Sequence, residues 1–466
     1  MEKAPKEIII LLLTRSNNML RRKIETELEK FHQDTSRKAL LLTGARQVGK
    51  TFSVRAFAKT HYEAFVEFNF IKNAEARSIF KNVVDEHDIL LRISALANTT
   101  LVPGKTLIFF DEVQLCPEVV TFIKFLVEEG SYRYILSGSL LGVELKSIRS
   151  VPVGYMNEKQ MFPLDFEEFI RANGVRDDII DHLRTAFDKQ QSPDPTVHNR
   201  MMRYFALYLV TGGMPAVVQK YIDTNDLQQV YDEQEAIMRE YRRVVTQYDE
   251  KLQMRLRYIY SLIPSELNKH NKRFYLKKAT DRGRFDRSEA DFIWLKEAGI
   301  AIPVYNVDEP KAPLELARKA NLFKLFMNDV GLLCAQYMNG IQMKILMGEM
   351  DMNFGAVYEN YVAQELAAHG FEIIYYYNSK KHGEVDFLVE ANGDILPLEA
   401  KSGKSFMTHA ALDNLMAQEE FKIPTAWVVS KNGDVTADGK ITYLPIYFLM
   451  FLERNAFKKP LIYRIE

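Results

Sequence analysis

The segment Gly44–Thr51 reads GARQVGKT, and this spacing of two glycines, a lysine and a threonine is that of a phosphate-binding loop. An apolar run, ALLLT, precedes it, and the segment KTFSVRAFAKT that continues from its last two residues has helical spacing. Strand, glycine-containing loop and helix N-terminus are the context that such a loop requires. The alternative is a glycine-containing turn without a ligand. The pattern favours a buried parallel strand that leads into a nucleotide-binding helix N-terminus, where the helix dipole attracts phosphate.

Each residue type of this loop has a chemical task. Gly44 and Gly49 let the backbone curl so that successive N–H groups point at phosphate oxygens. Lys50 can reach the β and γ phosphates, and the Thr51 hydroxyl can hold Mg²⁺. The predicted nucleotide-binding residues of the loop are Gly44, Ala45, Arg46, Gln47, Val48, Gly49, Lys50, Thr51 and Phe52.

Two further apolar strands end in polar side chains. The run LIFF comes directly before Asp111 and Glu112, and the run YRYIL comes before Ser137 and Ser139. We expect Asp111 to bind Mg²⁺, Glu112 to polarise the attacking water, and one of the serines, Ser137 in the first instance, to contact the γ-phosphate or the water. The alternatives are an acidic turn and a serine-rich turn without function.

Composition excludes little. The chain has 466 residues, enough for two or three domains, and 61 basic against 62 acidic side chains, so net charge does not indicate a nucleic-acid partner. Its two cysteines, Cys116 and Cys334, match no metal-ligand spacing and are expected to be reduced thiols. The apolar run at residues 8–13 is shorter than the about 20 residues that a membrane span needs. We expect a cytoplasmic protein without a membrane partner.

Several segments together resemble a widespread family of prokaryotic AAA-type ATPases. They are LLLTGARQVGKT, FVEFNF, LIFFDEVQ, ILSGSLLGV, MFPLDFEEF, YLVTGGMPAVVQKY and FKLFMNDVGLL. The resemblance spans almost the whole chain and implies ATP as the nucleotide. Members of this family often carry Gly-Arg before the Pro-Leu motif, as an arginine-finger or sensor candidate. This chain has Tyr155 there, and Arg149 is the nearest substitute.

The middle of the chain is predicted to be helical from residue 178 to residue 268, with a break at Gly212-Gly213. A basic stretch, Lys269–Arg287, then carries eight cations against two acids. A helix, a glycine turn and a short strand follow, an order that suggests a winged helix whose basic stretch neutralises DNA phosphates. The alternative is a solvated loop on a domain that only packs against its neighbours.

The C-terminal segment places acidic and basic side chains inside apolar strands. Asp386 interrupts the run VDFLV, and Glu399 and Lys401 flank Ala400, so the last two point to the same face of a strand. A carboxylate pair beside an ammonium group can bind Mg²⁺ and activate water for phosphodiester cleavage.

This arrangement resembles the restriction-endonuclease-like, or PD-(D/E)xK, superfamily. The resemblance implies Asp386, Glu399 and Lys401 as active-site residues, the two carboxylates as metal ligands, and Glu359 on the preceding helix as an accessory ligand. Val385 replaces the usual proline. The alternative is a domain of the same fold that binds without cleaving.

The sequence thus predicts an α/β protein with three domains: an AAA-type P-loop ATPase core at 18–175, a helical lid plus winged helix at 176–350, and a restriction-endonuclease-like α/β domain at 351–466. ATP and Mg²⁺ are the expected cofactors, and Lys50 and Glu112 the expected ATPase catalytic residues. DNA and a second copy of the chain are possible partners. A non-cleaving ATP-dependent switch, and a scaffold in which ATP turns over slowly, are the rival interpretations.

Overall fold

The structure is a computed structural model, and two compact units make up the chain. The described residues are 19–139, 154–244, 250–269, 272–273, 285–337, 340–348, 354–378, 383–403 and 405–454. The first unit comprises Leu20–Phe162 and Ile293–Ile300. The second is built from the described residues of 163–292 and 301–466. None of the described helices is both long and apolar enough to cross a membrane.

The first unit contains a five-stranded parallel sheet. Its strands are β1 (Ala39–Thr43), β2 (Ala64–Asn69), β3 (Thr106–Asp111), β4 (Arg133–Ser137) and β5 (Met156–Gln160). Their order is β2-β3-β4-β1-β5, so the first strand lies between the fourth and the fifth. In open parallel sheets, ligands bind beyond the carboxyl ends of the strands where the strand order reverses. That place is the carboxyl end of β1.

Apolar faces of helices cover this sheet. The helices are α1 (Ile24–Gln33), α2 (Lys50–His61), α3 (Glu86–Leu96) and α4 (Glu118–Glu129). All six residues of β3 are buried, as expected of a central strand in a sheet covered on both faces. Phe110 of β3 packs against the rings of Phe68 and Phe80 within one continuous core. This packing fixes the position of the carboxyl end of β3, and therefore of Asp111.

Helices dominate the first part of the second unit. They are α5 (Phe166–Ala172), α6 (Asp177–Asp188), α7 (Pro195–Thr211), α8 (Pro215–Thr224), α9 (Leu227–Val244) and α10 (Glu250–Leu267), followed later by α11 (Phe285–Glu297), α12 (Val330–Ala335), α13 (Ile341–Met347), α14 (Gly355–Ala368) and α15 (Ala410–Met416). The residues of α11 from Ile293 onwards belong to the first unit. The glycine break at 212–213 separates α7 from α8. A Cβ on Gly213 would lie 2.0 Å from the carbonyl oxygen of Leu164, so only glycine fits there.

An eight-stranded mixed sheet forms the rest of the second unit. Its strands are β6 (Ala301–Val307), β7 (Lys319–Met327), β8 (Ile374–Asn378), β9 (Gly383–Ala391), β10 (Asp394–Lys401), β11 (Ala426–Ser430), β12 (Thr436–Asp438) and β13 (Ile441–Pro445). They run in the order β12-β13-β11-β10-β9-β8-β6-β7. The central strands β9, β10 and β11 pack their apolar residues into one core with α15.

The strand predicted to complete a winged helix belongs to this sheet. Strand β6 pairs antiparallel with β7 and parallel with β8, so it continues the C-terminal sheet. Because β6 is hydrogen-bonded to β8, it lies inside the sheet and is not the exposed strand of a separate wing that could contact DNA. The described residues therefore do not support a separate winged-helix module. The bounds of the three predicted domains remain predictions.

Candidate functional site: a phosphate-binding loop and a carboxylate–lysine cluster

The loop after β1 has the backbone that its two glycines were expected to permit. Gly44 has a φ of 130° and Gly49 a φ of 99°, both in the region that glycine adopts without strain. A Cβ on Gly44 would lie 2.2 Å from the carbonyl oxygen of Met161. Gln47 also has a positive φ, of 66°. The loop thus bends sharply between β1 and the first turn of α2.

Lys50 points back into this loop. Its Nζ donates hydrogen bonds to the carbonyl oxygens of Gly44, at 2.9 Å, and Ala45, at 2.8 Å. Burial lowers the pKa of this ammonium group from its ordinary value of 10.5 to about 8, although Glu112 and Asp111 favour the charged form. A buried lysine whose ammonium group donates to two carbonyl oxygens of the loop fits a site that receives an anion.

Asp111 is the centre of a polar network at the carboxyl ends of three strands. It accepts hydrogen bonds from the Thr51 hydroxyl at 3.0 Å and from Asn69 Nδ2 at 2.8 Å, both at Oδ2. Ser137 donates to its other oxygen. A threonine hydroxyl and a carboxylate at this distance are the pair that can share a Mg²⁺ ion. Sequence reasoning missed Asn69, which could have been found as the polar end of β2, opposite Asp111 in the sheet.

Glu112 follows Asp111 in a left-handed conformation, with φ 60° and ψ 47°. Such a backbone is rare for a residue with a Cβ and occurs often at functional sites. Gln114 donates to Glu112 through Nε2, and the same nitrogen lies 3.4 Å from the Ser139 hydroxyl. Gln114 thereby joins the ends of two strands, a role that its position in the sequence did not reveal.

Other predicted loop residues have ordinary structural surroundings. Val48 is buried, and its carbonyl accepts a hydrogen bond from Arg22 Nη1 at 2.8 Å. Phe52 is 58% exposed beside the loop. Tyr155 donates from its hydroxyl to Glu128 Oε1 at 2.5 Å, whereas Arg149 lies outside the described residues.

A distant segment also contacts the loop. Gly299, within the residues 293–300 of the first unit, has a φ of 68°, and a Cβ there would lie 2.7 Å from the backbone nitrogen of Ala45. No local sequence pattern predicts the contact between Gly299 and Ala45, because these residues are about 250 positions apart in the sequence. Only a residue without a side chain fits so close to the phosphate-binding backbone.

In the second unit, Asp386 on β9 and Glu399 on β10 lie side by side. The backbone N–H of Asp386 donates to Glu399 Oε2 at 3.3 Å, and the N–H of Ala400 donates to Asp386 Oδ2 at 3.0 Å. Lys401 donates from Nζ to Glu399 Oε1 at 2.9 Å. Burial, reinforced by the charge of Asp386, raises the pKa of the Glu399 carboxyl from 4.5 to about 8.

Glu359 on α14 joins this cluster through a cation. Lys272 donates to Glu359 Oε1, and burial, with the neighbouring charge of Asp386, raises the pKa of the Glu359 carboxyl. Since Lys272 belongs to the basic stretch, one cation of that stretch lies against the carboxylates and not on a wing. The described residues do not bring ligand atoms of Glu359, Asp386 and Glu399 together as one three-ligand group.

A second buried pair, missed by sequence reasoning, borders the cluster. Lys324 on β7 is completely buried, and its Nζ lies 2.6 Å from Glu384 Oε1 and 4.9 Å from the ring centroid of Tyr375. Nearby carboxylates, led by Glu384, keep its pKa above the ordinary range in spite of burial. Arg273 contacts Glu384 at 3.5 Å and stacks 3.3 Å from the ring centroid of Tyr377. The cluster therefore contains four carboxyl groups and four cationic side chains: Glu359, Glu384, Asp386 and Glu399, and Lys272, Arg273, Lys324 and Lys401.

Comparisons with known proteins agree with the geometry of the first unit. Residues 36–170 match a family described as an AAA domain. Residues 202–343 and 354–449 match two families described as domains of unknown function, DUF8612 and DUF4143. A search of curated proteins returns no significant match.

Solved structures add two similar chains. A Walker-type ATPase of Pyrococcus abyssi is 15% identical, with 70% of this chain and 98% of that chain covered and a TM-score of 0.41. Cdc6p from Pyrobaculum aerophilum is 13% identical, with 72% and 97% covered and a TM-score of 0.26. The segment 36–170 thus matches an AAA domain family, and it carries a phosphate-binding loop after the first strand of its parallel sheet.

Proposed function

We propose that the first unit binds and hydrolyses ATP with Mg²⁺. The observation that carries this proposal is the contact between Thr51 and Asp111 at 3.0 Å, directly after the glycine loop that holds Lys50. Two oxygen ligands for a divalent ion and one buried cation then lie at one end of the same parallel sheet. These groups fit a magnesium–triphosphate complex, which would supply the phosphoryl group to be transferred to water.

The side chains divide the task as follows. The backbone N–H groups of residues 44–51 bind phosphate oxygens, and Lys50 neutralises charge on the outer phosphates. Thr51 and Asp111 hold Mg²⁺, and Ser137 and Asn69 orient Asp111 through its two oxygens. Glu112 accepts the proton of the attacking water, and Gln114 fixes its carboxylate.

Equilibrium binding of a fluorescent ATP analogue tests the first part of this proposal. Lys50→Ala should weaken binding strongly with and without Mg²⁺. Thr51→Ala should weaken binding mainly when Mg²⁺ is present, because its hydroxyl acts through the ion. Lys59→Ala, an exposed lysine near the end of the same helix, is the matched control and should bind as the wild type does. Equal affinity in all four proteins would contradict the assignment of the site.

For the second unit we propose Mg²⁺-dependent phosphodiester cleavage of DNA, driven by rearrangement of the first unit as ATP is hydrolysed. Asp386 and Glu399 would hold the ion, with Glu359 as an accessory ligand, and Lys401 would orient or activate the water. The proximity of Asp386, Glu399 and Lys401 supports this function. Glu399 would have to lose a proton as the ion binds, since its pKa is about 8.

The second candidate is a nucleotide-driven switch whose second unit only holds a nucleic acid or a protein. Two observations favour it: Glu359, Glu384 and Glu399 already have cationic partners, and the described residues do not group Glu359, Asp386 and Glu399 as three ligands. Carboxylates that are paired with cations and are not grouped around one point are what we expect of a cluster that stabilises the domain without binding a metal ion. The two candidates differ in a single measurable property, cleavage.

Incubation of the purified chain with single- and double-stranded DNA, with Mg²⁺ or Mn²⁺ and with or without ATP, separates them. Metal-dependent cleavage that disappears in Asp386→Ala establishes the nuclease. Asp394→Ala, at the opposite end of the same hairpin, serves as the matched control and should cleave normally. Intact DNA under all conditions, with binding preserved, would leave the switch.

Partners and location follow as further proposals. DNA would bind through cations of the stretch 269–287 and through the second unit, and a second copy of the chain would supply the arginine that Tyr155 replaces. The protein would act in the cytoplasm. Light scattering with and without ATP tests the oligomer: an unchanged monomer in both conditions would exclude a shared arginine.

A further inference from the structure

A buried cluster of two carboxylates and one imidazole lies in the second unit, and neither proposed activity uses it. Asp165 precedes α5, Glu365 lies on α14, and His369 follows one turn after Glu365. In the part of the chain that the structure describes, these are the three residues of metal-ligand type whose ligand atoms all lie within 4.8 Å of one another. All three belong to the same compact unit.

The imidazole of His369 is held in the form that binds metal ions. Its Nδ1 lies 2.9 Å from the carbonyl oxygen of Leu452. A carbonyl can only accept, so Nδ1 carries the proton and the neutral ring has its lone pair on Nε2. The side chain is 9% exposed, and the buried Nε2 has no hydrogen-bond partner. Metal-bound histidines commonly donate their other ring nitrogen to a backbone carbonyl in this way.

Each carboxylate uses one oxygen locally and turns the other towards His369. Asp165 caps α5 by accepting from the backbone N–H of Glu168 through Oδ1 at 2.9 Å. Glu365 accepts from the backbone N–H of Phe166 through Oε2 at 3.2 Å. The second oxygens, Asp165 Oδ2 and Glu365 Oε1, lie 3.6 and 3.8 Å from His369 Nε2.

The distances from His369 Nε2 to the two carboxylate oxygens fit a metal ion bound by all three groups better than hydrogen bonds from a protonated imidazole. A charge-assisted hydrogen bond from an imidazolium to a carboxylate is about 2.7–2.9 Å long, well below both values. Two ligands of one tetrahedral zinc ion lie about 3.4 Å apart, because each is about 2.1 Å from the metal. A contraction of a few tenths of an ångström would bring His369, Asp165 and Glu365 to that spacing.

We propose that Asp165, Glu365 and His369 bind a first-row divalent metal ion, with Zn²⁺ as the best match to one imidazole and two carboxylates. The ion would be structural, since its ligands are buried and lie at the start of α5 and the end of α14. It would join these two helices to the backbone at Leu452, which holds the imidazole.

Zinc titration of the full chain tests this site. The protein is stripped with a chelator, dialysed into Mg²⁺ and titrated with Zn²⁺ in competition with a chromogenic zinc indicator. The wild type should bind one equivalent. Asp165→Asn and Glu365→Gln should each bind at least tenfold more weakly, while asparagine still caps the helix and glutamine still accepts from Phe166. His409→Gln, which alters another buried histidine paired with a carboxylate at 3.0 Å, should leave the stoichiometry unchanged.

The wild type offers a second readout that needs no variant. Addition of Zn²⁺ should shift the ¹⁵N resonance of His369 Nε2 and leave its Nδ1 protonated. No bound zinc, binding that both variants retain in full, or an Nε2 resonance that zinc does not move would overturn the proposal. None of these results depends on whether the chain hydrolyses ATP or cleaves DNA.

Discussion

The depressed pKa of Lys50 predicts that nucleotide affinity falls as the pH rises. In the nucleotide-free protein burial brings this pKa from 10.5 to about 8, and a bound triphosphate should restore it towards the ordinary value. The bound state then holds a proton that the free state loses as the pH passes 8. Affinity should therefore drop about fivefold between pH 8 and pH 9, and about threefold more by pH 9.5.

Calorimetric titration with ATP and Mg²⁺ measures this linkage directly. Repeating the titration in buffers of different ionisation enthalpy should give an uptake of about 0.9 proton per nucleotide at pH 9 and about 0.1 at pH 7, because Lys50 is the group that gains it. The nucleotide phosphates are already fully ionised above pH 8, so they do not contribute to the trend in that range.

Two variants define the control. Lys59→Ala should reproduce the wild-type pH profile, since this lysine is exposed and away from the loop. Lys50→Arg should bind more weakly but with little dependence on pH, because a guanidinium remains charged throughout. An affinity that stays constant from pH 8 to pH 9.5 in the wild type, without proton uptake, would refute the reasoning about the buried ammonium group.

Three other perturbations follow from the same contacts. Glu112→Gln should slow ATP hydrolysis about 10²–10⁴-fold and leave ATP affinity nearly unchanged, as phosphate release and calorimetry would show. Gly44→Ala should abolish nucleotide binding and destabilise the protein in thermal denaturation, because its Cβ would meet the Met161 carbonyl at 2.2 Å; Gly104→Ala, with no atom within 4 Å, is the matched control and should still bind. Because the pKa of Glu399 is raised to about 8, Mg²⁺ binding to the second unit should strengthen as the pH rises towards 8. Without metal, the contribution of Glu399 to the free energy of unfolding should decrease as the pH rises from 4.5 to 8, because the folded protein holds a proton that the unfolded chain loses. Glu399→Gln should remove both trends, and a pH-independent affinity in the wild type would count against the assignment.

Local patterns were enough to predict the loop and the strand ends of the first unit. The run before Gly44 and the helical spacing after Lys50 are properties of neighbouring residues, and the structure forms β1, the loop and α2 there. Asp111 was predicted as the end of a buried strand, and it is the last residue of β3. The same logic predicted that Asp386 and Glu399 would interrupt apolar strands, and β9 and β10 contain them. The roles of these residues in catalysis remain predictions.

Contacts between distant segments could not be predicted in this way. In the sequence Lys324 is one charged residue within an apolar strand, and its contact with Glu384 joins β7 to β9, two strands that are not neighbours in the sheet. Lys272 belongs to the basic stretch that was predicted either to neutralise DNA phosphates or to form a solvated loop, and its ion pair with Glu359 was not predicted. Strand order and ion pairing depend on tertiary structure, which periodicity does not encode.

The most direct test of the central claim is the rate of phosphate release from ATP by the purified full-length chain, measured beside Lys50→Ala with Mg²⁺ present. Our account predicts steady turnover in the wild type that requires Mg²⁺ and is absent from Lys50→Ala. Turnover that survives in Lys50→Ala, or a wild type that binds ATP tightly and releases no phosphate, would contradict it.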